Sequence, residues 1–267
     1  MKPRLGAVSY LNTRPLVFAL ERDGSPFALS YSVPSRCADD LACGAVDVGV
    51  IPSIEYARST EPYCIVPGIG IGARGAVLTV RLYHRGAVDK ITSVALDLSS
   101  RTSVALVRIL LRERYGLDPT FIDAAPDLEA MLASADAALL IGDPVFAALD
   151  GAHSSLDLGA EWTELTGLPF VFAFWAGRKD ALDPVLVRAL IAAKEEGLRH
   201  IDDIARAYHG ERPGDLALYA HYLREHIDFD LDAAALAGLR TFYDQAAAHG
   251  LIAAAPDLRF YALEDGA

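Results

Sequence analysis

The 267-residue sequence predicts an α/β protein of two lobes, the second inserted into the first, with the chain crossing between them twice. Three observations predict it. Apolar runs that end in small polar residues and pass into helical patterns recur along the first 150 residues. A second apolar run, residues 168–177 ("LPFVFAFWAG"), reads as a buried strand returning from one lobe to the other. After residue 180 the apolar spacing is helical, over 184–208 and again over 232–249.

The strand–helix junctions come in order. Residues 5–11 run into "NTRPLVFALE", 46–51 into "PSIEYAR", and 93–98 into "SSRTSVALVRILLRERYG"; a weaker fourth takes 137–141 into "GDPVFAAL". Strands alternating with helices make parallel sheets with helices on their faces. "TFIDAA" and "SSLDLG" add strands to the middle section. In the tail, Asp183-Pro184 and Asp230 to Asp232 start helices and Gly250 stops one. The expected boundaries are 1–88 plus 174–267 for the first lobe and 89–173 for the second.

Composition narrows the function. The net charge of −12 argues against nucleic acid, which needs a basic face. No apolar run reaches the roughly 18 residues of a membrane span. The opening "MKPRLGAVSYLNTRP" breaks its apolar run at Ser9, Asn12 and Arg14, so no secretory signal is expected and the cytoplasm is the expected compartment. Cys37, Cys43 and Cys64 are odd in number with no CxxC spacing, and read as buried free thiols. The seven histidines are scattered and no HExxH occurs, so no metal or other cofactor is expected.

In open α/β sheets ligands bind beyond the carboxyl ends of the strands, so the four junctions should face one cleft. "SSRTS", residues 99–103, gives the sharpest local signal. Ser99, Ser100, Thr102 and Ser103 offer four hydroxyls where one suffices to cap a helix. The helix N-terminus there attracts an anion, and Arg101 could clamp a carboxylate or simply be exposed. "VSYLNTRPL" brings Ser9, Tyr10, Asn12, Thr13 and Arg14 to the first junction; Arg14 could touch a ligand or brace the loop. In "IPSIEY", Ser53 reads first as a helix cap that could also point into the cleft. In "LLIGDP", Asp143 caps a helix beginning at Pro144, or faces the cleft as an acid. "GIGARG" at 70–75 fits GxGxxG, but it precedes a strand and opens no helix, so it reads as a loop.

Five ordered blocks, "VSYLNTRPL", "DVGVIPSIEY", "SVALDLSSRTSVALVRILL", "ALLIGDP" and "LGAEWTELTGLPFVFAFWAGR", resemble the chorismate dehydratase family of the futalosine route to menaquinone. The resemblance is strongest over residues 5–180. It implies a two-lobe, type II periplasmic-binding-protein-like fold. It also implies an enzyme that binds the dicarboxylate chorismate and converts it to 3-[(1-carboxyvinyl)oxy]benzoate and water, without a cofactor. The junctions hold few carboxylates and no histidine. The family resemblance accommodates this, since the substrate's own enolpyruvyl carboxylate is one proposed proton acceptor. Asn12 is then the expected catalytic residue, orienting that carboxylate or the departing hydroxyl. Ser9, Tyr10, Thr13, Arg14, Ser53, Ser99, Ser100, Arg101, Thr102, Ser103 and Asp143 are the expected substrate contacts. Two alternatives share the fold: a small-anion binding or sensor protein, and the sister 1,4-dihydroxy-6-naphthoate synthase, in which His153 would have to serve as base.

Overall fold

The computed structural model describes residues 2–151 and 153–264. The strands are β1 (Arg4–Val8), β2 (Ala28–Ser32), β3 (Val48–Pro52), β4 (Tyr63–Ile65), β5 (Ile71–Ala73), β6 (Val80–His84), β7 (Ser93–Asp97), β8 (Thr120–Ala124), β9 (Ala137–Ile141), β10 (Ser154–Asp157) and β11 (Phe170–Arg178). The helices are α1 (Arg14–Val17), α2 (Pro34–Ala42), α3 (Ser53–Arg58), α4 (Arg101–Tyr115), α5 (Leu128–Ser134), α6 (Leu158–Thr166), α7 (Pro184–Arg199), α8 (Ile201–Glu211), α9 (Leu216–His221) and α10 (Ala233–Ala248).

Two mixed sheets result. The first has the order β2-β1-β3-β11-β4, with β5 also paired to β11; the second has the order β10-β6-β9-β7-β8. β1, β2 and β3 run parallel, as do β7, β8 and β9, because the helix after each strand carries the chain back to the same end of the sheet. β11 is antiparallel to β3, and β6 is antiparallel to β9. Both antiparallel strands lie beside the places where the chain changes sheet.

The chain first crosses over residues 74–79 and returns over 167–169. The first crossing is earlier than the expected boundary at 88, because Val80, Leu82 and His84 pair with β9 and carry β6 into the second sheet. Phe170 to Phe172 open β11 in the first sheet, a few residues before the expected 174. "GIGARG" departs from its reading as a loop: Ile71–Ala73 is a short strand, held by the free edge of β11. The helical pattern over 184–208 is two helices, broken at His200, where the backbone leaves the helical region (φ −113°, ψ 25°).

The core sits where the crossings meet the helical tail. Trp162 is fully buried, edge-on to Phe170 at 5.2 Å, and Phe170 packs on Phe242 of α10 at 4.9 Å. Burying a large side chain of this kind contributes about 1.5–3 kcal/mol, so the tail fastens the return crossing. The cysteines depart from their reading as buried thiols: only Cys37 is buried, while Cys43 is exposed and Cys64 half-buried. No helix among the described residues is long and apolar enough to cross a membrane.

Candidate active site

The carboxyl ends of β1, β3 and β9 and the start of α4 face one cleft, which encloses about 60 Å³. Its polar lining is Tyr10, Asn12, Thr13, Thr79, Ser100, Thr102 and Ser103. The rest is apolar, including Val8, Ile71, Val80, Ile141, Phe172 and Ile227, and no lining residue carries a charge.

The first turn is built tightly. Leu11–Thr13 form a 3₁₀ turn directly after β1, and the Thr13 N–H donates to the Tyr10 carbonyl at 3.1 Å. Pro15 then sits in the first turn of α1, where its missing N–H costs nothing. Leu11 is fully buried and anchors the turn, which leaves Asn12 between two buried neighbours with its amide at the cavity. Thr13 Oγ1 donates to Asn12 Oδ1 at 3.4 Å.

The second lobe supplies the hydroxyl cluster. Ser100 caps α4: its Oγ accepts from the Ser103 N–H at 3.3 Å and donates to Ser103 Oγ at 2.8 Å. Thr102 Oγ1 accepts from the Ile54 N–H of α3 at 3.2 Å, so the start of α4 is tied to the first lobe. Asp97, fully buried at the end of β7, accepts the Ser99 N–H at 2.9 Å, and burial raises its pKa above the usual carboxylate range. Its other oxygen has no partner among the described residues.

The lobes meet at further points. Tyr10 Oη donates to Ser99 Oγ at 3.2 Å, and the Leu11 N–H donates to Asp143 Oδ1 at 3.0 Å. Burial, reinforced by the charges of Asp97 and Asp143, pushes the Tyr10 phenol up to about 12. Gly142 lies under the Tyr10 ring with φ 67°; a Cβ there would fall 2.5 Å from Tyr10 Cε2. Only glycine supplies both that backbone and that clearance.

Comparisons with known proteins bear on the fold and the family. Solved structures of similar fold include a protein from Archaeoglobus fulgidus (TM-score 0.77, 19% identity, covering 94% of this chain and 98% of that one). Another is the periplasmic aliphatic sulphonate binding protein SsuA from Escherichia coli (TM-score 0.70, 18% identity, covering 99% and 94%). At these identities they show the fold, a periplasmic-binding-protein-like architecture. A family profile described as menaquinone biosynthesis matches residues 3–248. The chain belongs to that menaquinone-biosynthesis family. Among its relatives is the chorismate dehydratase of Thermus thermophilus, 33% identical over 84% of this chain and 89% of that protein. The chorismate dehydratase of Campylobacter jejuni is 33% identical over 66% of this chain and 69% of its own length.

In this member of the menaquinone-biosynthesis family, six of the residues expected at the site line the cavity: Tyr10, Asn12, Thr13, Ser100, Thr102 and Ser103. The others lie elsewhere. Arg101 forms no free clamp. Its guanidinium donates to both oxygens of Asp39, at 2.8 and 3.0 Å, and to Glu55 at 2.7 Å, because two first-lobe carboxylates flank it. Arg14 turns outward to Glu211 at 2.7 Å. Ser53 is fully buried and donates to the Val171 carbonyl at 2.8 Å; it neither caps α3 nor reaches the cavity. Ser9 continues the β1–β2 ladder through its N–H to the Ser32 carbonyl, outside the lining. Ser99 stands behind Tyr10, outside the lining. Asp143 does not cap its own helical turn, because its carboxylate is taken by the Leu11 N–H of the other lobe. His153 pairs with Glu129 at 3.0 Å and does not line the cavity.

Thr79 lines the cavity without a motif to announce it, at the end of the first crossing. Its partner Tyr222, in the helical tail, gave no local signal either.

Proposed function

We propose that this protein is a carbon–oxygen lyase that dehydrates chorismate to 3-[(1-carboxyvinyl)oxy]benzoate in menaquinone biosynthesis. The observation that carries the reading is the uncharged, donor-rich cavity shared by both lobes: six hydroxyls and one amide, with no ionised side chain among the lining residues. Chorismate brings two carboxylates, which neutral donors and a helix N-terminus can hold. Its hydrogen-bonding needs match the Ser100, Thr102 and Ser103 cluster at the start of α4.

The reaction removes the ring C3 proton and the C4 hydroxyl as water, and the ring becomes aromatic. Charge develops on the conjugated ring carboxylate as the proton leaves, so preorganised donors against that carboxylate lower the barrier. The lining holds no carboxylate or imidazole, and Tyr10 is too basic to be ionised near neutral pH. The substrate's enolpyruvyl carboxylate, the acceptor that the family resemblance suggests, fits such a lining. The protein's contribution is orientation, worth up to roughly 7–11 kcal/mol in the best aligned cases. Asn12 has both donor and acceptor to align that carboxylate or the departing hydroxyl.

A cavity of about 60 Å³ is smaller than the roughly 150 Å³ that holds benzene. Chorismate therefore needs the lobes further apart than they stand here.

The test is incubation of the purified protein with chorismate, followed by chromatography and mass analysis for the aromatic product. Formation of that product with loss of water is expected. Binding of chorismate with no product would make the protein a binding or sensor protein instead. Turnover of cyclic de-hypoxanthine futalosine alone would assign it to the sister naphthoate synthase.

A further inference from the structure

The first crossing between the sheets, residues 74–79, is held from two sides. Toward the helical tail, Arg74 pairs with Asp228 and Asp232, each at 2.8 Å, and His226 Nδ1 donates to the Ala76 carbonyl at 2.9 Å. Toward the second sheet, the Asp157 carboxylate accepts the Val77 N–H at 3.0 Å and the Leu78 N–H at 2.7 Å. The same carboxylate caps α6 by accepting the Gly159 and Ala160 N–H groups at 3.0 and 3.2 Å. Gly159 seats α6 against the crossing: a Cβ there would fall 2.5 Å from the Gly75 carbonyl oxygen.

Leu78 is the only non-glycine residue among those described with a left-handed backbone, at φ 69°. It centres a γ-turn in which the Thr79 N–H donates to the Val77 carbonyl at 2.9 Å. Such turns are rare and strained, and strain of this kind persists only where the surroundings enforce it. The bond from Leu78 is the shortest of the four that Asp157 accepts, and the Asp157 side chain is only 9% exposed, so water competes little for it. The Leu78 carbonyl is held as well, by Arg81 Nε at 2.9 Å.

What the turn places is Thr79. Its side chain lines the cavity, and its hydroxyl lies 2.7 Å from that of Tyr222. Its carbonyl accepts the Gly142 N–H at 2.8 Å, under the Tyr10 ring. A Leu78 relaxed to the usual negative φ would redirect the chain at Thr79 and break these contacts. We infer that Asp157, which does not itself line the cavity, is a positioning residue: it holds Leu78 in the strained turn that delivers Thr79 to the site. The catalytic consequence rests on the proposed dehydratase reaction, and the hold on the turn rests on geometry alone.

Two measurements test it. Asp157→Asn keeps one acceptor oxygen for Val77 and the α6 cap, but sets an amide NH2 against the Leu78 N–H. Glycine takes a positive φ without steric cost, and alanine does not. On chorismate, Asp157→Asn is expected to lower kcat/KM about tenfold, the value of one hydrogen bond. Adding Leu78→Gly is expected to bring it back to within about threefold of wild type, and adding Leu78→Ala is expected to leave the loss in place. A carboxylate that only caps α6 gives neither the loss nor the difference between glycine and alanine. Unchanged kinetics in Asp157→Asn, or equal rates in the two double variants, would overturn the inference. The second measurement is the crystal structure of each variant without substrate. Leu78 is expected at negative φ in Asp157→Asn, with Thr79 turned away from Tyr222, and residue 78 at positive φ once Leu78→Gly is added. An unmoved Leu78 in Asp157→Asn would overturn the inference. Should Asp157→Asn fail to fold, the soluble yields of the two double variants are compared: rescue by glycine alone is expected, and equal yields would overturn it. The crystallographic result needs no turnover, so a wild-type protein inert toward chorismate would sink the functional reading while the turn is still decided.

Discussion

Asp143 of the second lobe accepts the backbone N–H of Leu11 in the first lobe at 3.0 Å, one residue before Asn12. The bond joins β9's exit to β1's exit across the cleft, so it exists only while the lobes are together. Asp143→Ala is expected to lower kcat/KM on chorismate about tenfold, whereas Asp143→Asn, which keeps an acceptor oxygen, is expected to stay within about threefold of wild type. Equal kinetics for Asp143→Ala and wild type would show the bond to be incidental.

Gly142 is expected to tolerate no side chain. In Gly142→Ala the new methyl meets the Tyr10 ring at 2.5 Å, on a backbone with φ 67°. With ψ at −151° this is a backbone region that essentially only glycine adopts, and it costs another residue about 1–3 kcal/mol. A fall in Tm is therefore expected together with a loss of turnover of at least about tenfold, read by thermal unfolding and steady-state assay. A fully active, equally stable alanine variant would mean the ring and this loop separate in solution.

Arg101 is expected to matter for stability and little for substrate. Its fork is filled by Asp39 and Glu55. Arg101→Ala is expected to leave KM for chorismate within about threefold and to cost roughly 1 kcal/mol, since partly exposed ion pairs contribute about 0.2–1 kcal/mol each. A rise in KM of a hundredfold would restore Arg101 as a carboxylate clamp.

Asp97 gives a prediction in pH. Burial raises its pKa in the folded protein above the ordinary value of 3.8. The stability its neutral form supplies is thus fully present below about pH 3.8 and is lost as pH climbs through the folded value. Asp97→Asn keeps an acceptor for the Ser99 N–H and removes the buried charge. The variant is expected to melt above wild type at pH 7, with the gap narrowing toward pH 4. A gap that does not change with pH would refute this assignment.

Much of this was legible because apolar runs stop where small polar residues begin. The strand at 137–141 lies where its five apolar residues place it, and the cavity gathers residues from the first and third junctions. Long-range pairing was not legible. Arg101 announces a strong donor, yet its acceptors stand 46 and 62 residues earlier, and nothing local marks them. Tyr222 reads as one more buried aromatic in an amphipathic tail, and its partner Thr79 lies 143 residues away. β5 was missed because three residues set among glycines carry no period; β11 makes them a strand.

The uncharged lining of the cavity also bears on how fast a ligand arrives. A dianion approaching a molecule of net charge −12 is repelled at a distance, and no fixed cation draws it in at the end. Raising ionic strength shortens the reach of that repulsion from about 10 Å at 0.1 M to about 3 Å at 1 M. Added salt therefore speeds capture here, the reverse of its effect on an anion site built from arginine and lysine.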